Sequence, residues 1–287
     1  MLIQDNQTNI LYLSELLKGE SKGFEKYKQF YERFVPLLEE NNIEVRFLKN
    51  TKDIWARDYM PIQIREDEFV QFDYQPPYAL KYKKYQHTIS DPHEVCAANG
   101  FSPKISTLKI DGGNVIKGSD FLILTDRALD HNPNRDVRSE LAELFSIEAT
   151  NVYFIPAEKD DEIGHADGMV RVVRDKHLLM NDYSVHQKDK EQHLKMNEWV
   201  AESPFTVSVV PYSPNRNKYI TATGIYSNYL LVDDCLFLPQ FDIDSDGAAI
   251  EIFSDLFPQN KIIPVLCNEI ANEGGVLNCI SWNIFAK

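Results

Sequence analysis

The sequence lacks long apolar runs and has few cysteine residues. No stretch approaches ~20 consecutive apolar residues, so a membrane-spanning helix is not expected. The first residues have neither the basic nor the apolar segment of a secretion signal. The four cysteines among 287 residues form no C-x-x-C pair and no evident zinc spacing with histidine. Scattered cysteines of this kind are typical of reduced thiols, so we expect a cytoplasmic protein without a membrane partner.

Basic residues are also in deficit. Lys and Arg total 30 against 44 Asp and Glu, which gives a net charge of −14. Because nucleic-acid-binding proteins usually present a basic face, no nucleic-acid partner is expected. This excess of negative charge is compatible with a cationic ligand and mildly attracts one. An ordinary solvated surface accounts for most of the excess. The sequence has no P-loop and no G-x-G-x-x-G, so no nucleotide is expected.

What the sequence does contain is a recurring order of predicted elements. A helical stretch leads to a β-branched run, then to a loop rich in Gly or Asp, then to two further extended runs. This order occurs five times, with helices predicted over residues 24–40, 92–99, 134–145, 188–202 and 247–256. The loop of the fifth unit leads into an apolar run at 276–280. This unit lacks a final strand, and the apolar run at 10–13 is predicted to close it. We therefore predict one α/β domain over residues 1–287, with five ββαβ-type units around a pseudo-fivefold axis.

The loops after the first strand of each unit carry residues that can act as nucleophile, base or anion. In a closed ring these loops converge at one end, where rigid strand ends support a site. The candidates are Asp58, Asp111, His165, Asp167, Asn228 and Cys279.

His165 and Asp167 are two residues apart at the predicted start of a strand, so their side chains are expected to face the same way. Gly164 and Gly168 on either side allow the backbone to bend or to approach closely. The pair could ligate a metal, or it could combine an acid/base histidine with a substrate-binding carboxylate. An exposed turn before an ordinary strand is the plain alternative.

Cys279 is the candidate nucleophile, because its unit converges with that of His165 and a thiol attacks well only as thiolate. Without that convergence, a buried core residue would be the better interpretation. Two aspartates that converge in a partly dry pocket repel unless a cation lies between them. A planar guanidinium matches carboxylates in bidentate fashion and leaves its carbon open to a thiolate. This chemistry would replace a guanidine nitrogen through a covalent thiouronium.

Four short motifs, in order, carry a resemblance to a known family: Trp55-Ala56-Arg57-Asp58, Asp111-Gly112-Gly113-Asn114, Gly164-His165-Ala166-Asp167-Gly168 and Gly274-Gly275 followed by Cys279. They resemble those of the guanidine-modifying enzymes of pentein fold, an α/β propeller, within the agmatine deiminase and bacterial peptidylarginine deiminase group. The stretch Ser227-Asn228-Tyr229-Leu230 is also similar to agmatine deiminases.

The resemblance implies a role for each matching residue. Cys279 would be the nucleophile and His165 the general acid/base, with Asp58 and Asp167 as guanidinium ligands. The remaining expected substrate-binding residues are Trp55, Asp111, Asn228 and Gly275. No metal and no cofactor are implied, and a homo-oligomer is compatible with the family.

The resemblance leaves the substrate open. Asp111 stands where agmatine deiminases usually have Glu, and Asn278 stands where they usually have His. Agmatine, arginine, methylated arginine and peptidyl-arginine all remain candidates. The expected function is hydrolysis of a guanidine C–N bond with release of ammonia and a ureido product. The alternatives are an amidinotransferase with the same covalent step, a non-catalytic pentein used for binding, and a metal-dependent hydrolase.

Overall fold

A computed structural model describes residues 1–159, 161, 163–214 and 221–287. These residues form five three-stranded sheets of one topology. In each sheet the middle strand pairs antiparallel with one neighbour and parallel with the other. The predicted pentein architecture of five α/β units is confirmed.

The strands follow one another in chain order with a recurring spacing. They are β1 Ile10–Ser14, β2 Glu44–Leu48, β3 Ile62–Arg65, β4 Glu68–Asp73, β5 Lys104–Lys109, β6 Ile116–Lys117, β7 Leu122–Thr125, β8 Val152–Ile155, β9 Val170–Arg174, β10 His177–Asn181, β11 Thr206–Val210, β12 Leu230–Val232, β13 Cys235–Gln240, β14 Lys261–Leu266 and β15 Ser281–Ile284. The helices are α1 Lys28–Glu40, α2 Ala56–Tyr59, α3 Pro77–Lys81, α4 Pro92–Ala98, α5 Arg127–Asp130, α6 Val137–Phe145, α7 Lys190–Glu202, α8 Ser245–Leu256 and α9 Asn268–Ala271.

Local sequence signals account for the ends of several helices. At the start of α4, the Asp91 carboxylate accepts hydrogen bonds from the backbone N–H groups of His93 and Glu94, and Pro92 occupies the first turn. At α6, Asp136 caps the N–H of Ser139 in the same way. These caps fix the point at which each crossover helix begins, and so the length of the loop before it.

The inner wall of the ring is made by one edge strand of each sheet, the strand that pairs antiparallel with the middle strand. Residues of β3, β6, β9, β12 and β15 all line one central cavity. The loops that enter these strands therefore meet at one end of the axis, as the candidate site requires. Among the described residues, no helix is both long and apolar enough to cross a membrane.

The sheet that joins the two ends of the chain contains β15, β1 and β2 in that order. Ile10 pairs with Ile284 across the antiparallel ladder and with Glu44 across the parallel one. The extended run expected at 276–280 is wrong in position, because residues 277–280 form a turn and the strand begins at Ser281. Cys279 thus lies on the turn that enters β15.

Crossover helices pack on the sheets through buried aromatic side chains. Phe34 of α1 and Phe237 of β13 meet edge to face, with ring centroids 6.0 Å apart. Both belong to the same buried apolar cluster and are fully removed from solvent. Full burial of one such side chain stabilises the fold by about 1.5–3 kcal/mol. The rigid packing of helices on sheets holds the loops at the axis.

Candidate active site

The candidate residues are brought together from all five units, with Asn228 as the contribution of the fourth. Asp58 lies on the short helix α2, and Asp111 immediately precedes a 3-10 turn over Gly112–Asn114. His165 immediately precedes a second 3-10 turn, Ala166–Gly168, which contains Asp167. The structure places these side chains and Cys279 within reach of one another.

His165 lies between two carboxylates. Its Nε2 atom is 3.0 Å from Asp111 Oδ2, and its Nδ1 atom is 3.5 Å from Asp58 Oδ1. Burial lowers the pKa of His165, but the negative charges of Asp58, Asp111 and Asp167 outweigh it and raise that pKa to about 10. The imidazole is therefore protonated at neutral pH and can donate a proton.

Asp58 is buried beside the other carboxylates. Burial raises the pKa of Asp58 to about 7, with the charges of Asp111 and Asp167 adding to the effect and that of His165 opposing it. The backbone N–H of Gly113 donates to Asp58 Oδ1 at 3.1 Å. Asp58 therefore changes charge near neutral pH, which is unusual for an aspartate.

Cys279 is surrounded by acceptors. Its thiol lies 3.3 Å from Asn228 Oδ1 and 3.9 Å from Asp167 Oδ2. The backbone N–H of Cys279 also donates to Asn228 Oδ1 at 3.3 Å. Burial raises the pKa of the Cys279 thiol well above its usual value, and the charges of Asp167 and Asp58 raise it further. In the free protein Cys279 is thus a thiol, and a cation placed beside these carboxylates would favour the thiolate.

Two glycines make room for this arrangement. A Cβ atom on Gly113 would lie 2.7 Å from both Asp58 Oδ1 and His165 Nδ1. A Cβ atom on Gly275 would lie 2.5 Å from Cζ3 of Trp55 and 3.0 Å from the Cβ of Cys279. Gly275 therefore lets the Trp55 ring pack close to Cys279, which gives this position a steric role next to the expected substrate-binding surface.

The local structure of His165 and Asp167 differs from the expected strand. Both residues precede β9, which begins at Val170, and a 3-10 turn carries Asp167. The same-face argument for a strand is therefore wrong, although both side chains reach the site. Asp167 is 2% exposed, and its Oδ2 atom accepts a hydrogen bond of 2.6 Å from Asn278 Nδ2.

Two buried amides that sequence reasoning did not assign to the site hold its loops. Asn114 Oδ1 accepts from the N–H of Thr125 at 2.9 Å and from the N–H of Ala166 at 3.1 Å, which ties the second loop to the third. Asn278 fixes Asp167, as described above. Asn114 belongs to a candidate motif and Asn278 precedes Cys279, and a buried amide must find partners, so these positions were the available signal.

Arg57 is a third residue that was not assigned. Its backbone N–H donates to the carbonyl of Cys279 at 3.1 Å, and its Nε–H donates to the carbonyl of Asn278 at 3.4 Å. The side chain lines the central cavity. Arg57 thus supports the turn that carries Cys279 through hydrogen bonds to its backbone. In the part of the chain that the structure describes, no group of three or more His, Cys, Asp or Glu residues is arranged to hold a metal ion.

A ring of five α/β units whose axial loops carry a cysteine, a histidine and aspartates defines a pentein of the guanidine-modifying class. The chain belongs to the Porphyromonas-type peptidyl-arginine deiminase family, whose model matches residues 20–284. This membership confirms the resemblance drawn from the sequence motifs.

Individual proteins that are similar to this chain include agmatine deiminases. The agmatine deiminase of Pseudomonas fluorescens (strain SBW25) is 25% identical over 206 residues, which cover 60% of this chain and 56% of that protein. The chain thus matches little more than half the length of this curated relative. The solved structure of C. jejuni agmatine deiminase has a TM-score of 0.79 at 19% identity, covering 99% of this chain and 95% of that one. A cysteine-to-serine variant of the C. jejuni enzyme with substrate bound has a TM-score of 0.74 at 18% identity, covering 99% of this chain and 96% of that one.

Proposed function

We propose that this chain is a deiminase that hydrolyses the guanidinium group of a small substrate, such as agmatine or an arginine derivative. The observation that carries the proposal is a partly buried thiol beside three converging aspartates and one imidazolium. Such a site has an excess of negative charge, and a guanidinium ion supplies the missing positive charge in a planar form.

Binding of the substrate prepares the nucleophile. The guanidinium donates hydrogen bonds to Asp58 and Asp167, and Trp55 offers its ring as an apolar wall for the substrate. The new positive charge offsets the two carboxylates that raise the pKa of Cys279. The thiol then loses its proton to water and becomes a thiolate next to the electrophilic carbon.

The first chemical step breaks the C–N bond. The thiolate sulfur of Cys279 attacks the guanidinium carbon and forms a C–S bond. His165, protonated at neutral pH, donates its proton to the departing nitrogen, which leaves as ammonia. The carbon then remains attached to Cys279 as a thiouronium.

The second step adds water. His165, now neutral, accepts a proton from the water that attacks the thiouronium carbon. Collapse of this adduct breaks the C–S bond and releases the ureido product and the thiolate. In total one water is consumed, and ammonia leaves as ammonium with the remaining proton. Asp111 holds the imidazole through its contact with Nε2 in both steps.

A panel of guanidines tests the proposal. Agmatine, arginine, methylated arginine and an arginine-containing peptide would each be incubated with the protein, and ammonia and ureido product would be measured. We expect equal amounts of both from one substrate class, and none from the Cys279→Ser variant, whose hydroxyl ionises far less readily. Cys96→Ser is the matched control, because Cys96 is buried against Gln71, away from the site.

Other outcomes would contradict the proposal in different ways. Transfer of the amidino group to an added amine without ammonia would indicate an amidinotransferase. Binding of a guanidine without turnover would indicate a non-catalytic pentein. Loss of activity on chelation, restored by zinc or manganese, would move His165 and Asp167 to metal ligation. A single domain over 1–287, a cytoplasmic location and a homo-oligomer stay predictions.

A further inference from the structure

A second polar site lies on the ring axis, behind the nucleophile. A cavity of about 170 Å³ is lined by the inner strands of all five sheets, β3, β6, β9, β12 and β15. This volume exceeds several-fold the ~10–15 Å³ that a single water requires. Asn278 lines one end of the cavity, while the exposed residues Asn6 and Asp175 line the other. The cavity therefore runs from the underside of the active site to the opposite face of the ring.

The charges in this cavity are predominantly positive. Arg57, Lys117 and Arg171 line it together with one largely buried carboxylate, Asp5. Asp5 Oδ2 accepts a hydrogen bond of 2.5 Å from Arg171. At the outer rim the exposed pair Arg174 and Asp175 contributes one charge of each sign, and these cancel. The wall of the cavity thus carries two positive charges in excess.

Among the residues that the structure describes, the hydrogen-bond partners of Arg57 and Lys117 are neutral. Arg57 donates to the carbonyl of Asn278 and to the side-chain oxygen of Asn283. Lys117 Nζ donates to the carbonyl of Gln63 at 2.7 Å. Burial lowers the pKa of Lys117 to about 8, the attraction of Asp5 partly offsets this, and Arg57 adds to the lowering.

Asp5 attracts Arg57, although its hydrogen bond goes to Arg171, and both arginines are also attracted from the active site by Asp167. That carboxylate, however, accepts its hydrogen bond from Asn278 and faces the thiol of Cys279. Buried cations without an ionic partner are costly, and an anion inside the cavity would remove that cost.

We propose that the axial cavity is a binding site for a small oxyanion, such as inorganic phosphate or a small carboxylate, held by Arg57, Lys117 and Arg171. Guanidinium and ammonium groups bind oxyanions through short charge-assisted hydrogen bonds. The site is distinct from the guanidine site, which is acidic and takes a cation. Because Arg57 also holds the turn of Cys279, an anion here would lie directly behind the nucleophile.

The test uses phosphate, sulfate, acetate and chloride as probes at constant ionic strength. Binding would be measured by calorimetry and by the shift of the melting temperature. We expect phosphate or acetate to bind at one site and to raise the melting temperature, and the stronger of the two identifies the source of the oxyanion. Two variants change the cavity charge in opposite directions: Lys117→Gln should weaken binding about tenfold, and Asp5→Asn should tighten it by a similar factor.

Matched controls make the same charge changes on exposed residues away from the cavity. Lys104→Gln and Asp67→Asn should leave binding unchanged. Absence of oxyanion binding to the folded wild-type chain would overturn the proposal, as would chloride binding as tightly as phosphate and acetate. Equal effects of Lys117→Gln and Lys104→Gln would also overturn it. Should Lys117→Gln fail to fold, Asp5→Asn decides: unchanged or weaker binding would contradict a cationic cavity. Activity on guanidines does not enter this test.

Discussion

His165 carries a proton at neutral pH because it lies between the carboxylates of Asp111 and Asp58. The same carboxylates keep the thiol of Cys279 neutral until a cation arrives. At the scale of single residues, the charge state of each group is thus set by its neighbours and by burial. The dependence of catalysis on pH follows from two of these groups.

The first prediction concerns that pH dependence. Asp58 must be ionised to bind a guanidinium, and its pKa is raised to about 7. His165 must be protonated to release ammonia, and its pKa is raised to about 10. We expect kcat/KM to rise as pH passes about 7 and to fall as pH passes about 10. Initial rates from pH 5.5 to 10.5 on one identified substrate would check this, and a profile that is already flat at pH 6 would contradict it.

The second prediction concerns the aspartates. Asp58→Asn and Asp167→Asn each keep the side-chain shape but remove a negative charge and an acceptor for the guanidinium. We expect kcat/KM to fall by about 10²-fold or more for each variant. Asp111→Asn should reduce the rate less. It should also move the alkaline limb to lower pH, because Asp111 raises the pKa of His165.

Kinetics and thermal melts on the same three proteins separate these roles. Equal small effects on activity, accompanied only by changes of melting temperature, would mean that the carboxylates are structural. An alkaline limb that stays in place in Asp111→Asn would contradict the assigned contact with His165.

At the scale of elements, the site is assembled from short turns that are tightly packed at Gly113. Gly112–Asn114 and Ala166–Gly168 are both 3-10 turns, and the amide of Asn114 connects them. Because each turn precedes an inner strand, the position of the strand sets the position of the turn. Substitution within a turn can therefore disturb the site while leaving the sheets intact.

The third prediction compares two glycines in these turns. Gly113→Ala would push a methyl group against Asp58 and His165 and is expected to reduce kcat/KM by about 10²-fold, with a destabilisation of about 1–3 kcal/mol. Gly168→Ala is the matched control, because its Cβ would meet no atom within 4 Å. Denaturant unfolding and kinetics on both variants test this. Similar activity losses in the two would show that the turns, rather than the space at Gly113, matter.

The elements also show how far the sequence could predict the structure. The fivefold repeat followed from apolar periodicity, and the order of the motifs pointed to candidate residues that the structure brings together, whose catalytic roles stay predictions. The local geometry did not follow from the sequence, because the short apolar runs after Gly168 and Gly275 fit a strand that begins anywhere within them. Tertiary contacts set the residue at which the strand starts. Asn278 donates a hydrogen bond to Asp167, so the residues before Ser281 turn toward the axis. Arg57 was missed because the charge it faces comes from residues distant in sequence.

At the scale of the whole molecule, buried carboxyl groups make stability depend on pH. Glu158 accepts hydrogen bonds from the hydroxyls of Tyr183 at 2.6 Å and Tyr212 at 2.8 Å. Burial raises the pKa of Glu158 to about 7 in the folded chain, and the two tyrosine contacts only partly oppose this. The folded state therefore binds this proton more tightly than the unfolded state, whose glutamate pKa is about 4.3.

The fourth prediction follows from that difference. The stabilisation by the bound proton is fully present below the unfolded pKa and is lost as pH rises through about 7. Glu158→Gln, which stays neutral, should show a smaller loss of unfolding free energy between pH 5 and pH 8 than the wild type. Glu251→Gln, at an exposed position on α8, is the control. Parallel curves for the wild type and Glu158→Gln would contradict the assigned burial effect.

The pairing of β1 with β15 has a consequence for the order of events during synthesis. β1 leaves the ribosome early, yet its antiparallel partner is made about 270 residues later. At the ~5–20 residues per second typical of translation, β1 must wait many seconds with one edge unpaired. Cys279 lies two residues before β15, so the proposed nucleophile enters the site in the same event that closes the ring. If Cys279 acts as proposed, a nascent chain can hold its aspartates and histidine in place and still be unreactive, because reactivity begins only when the last sheet is complete.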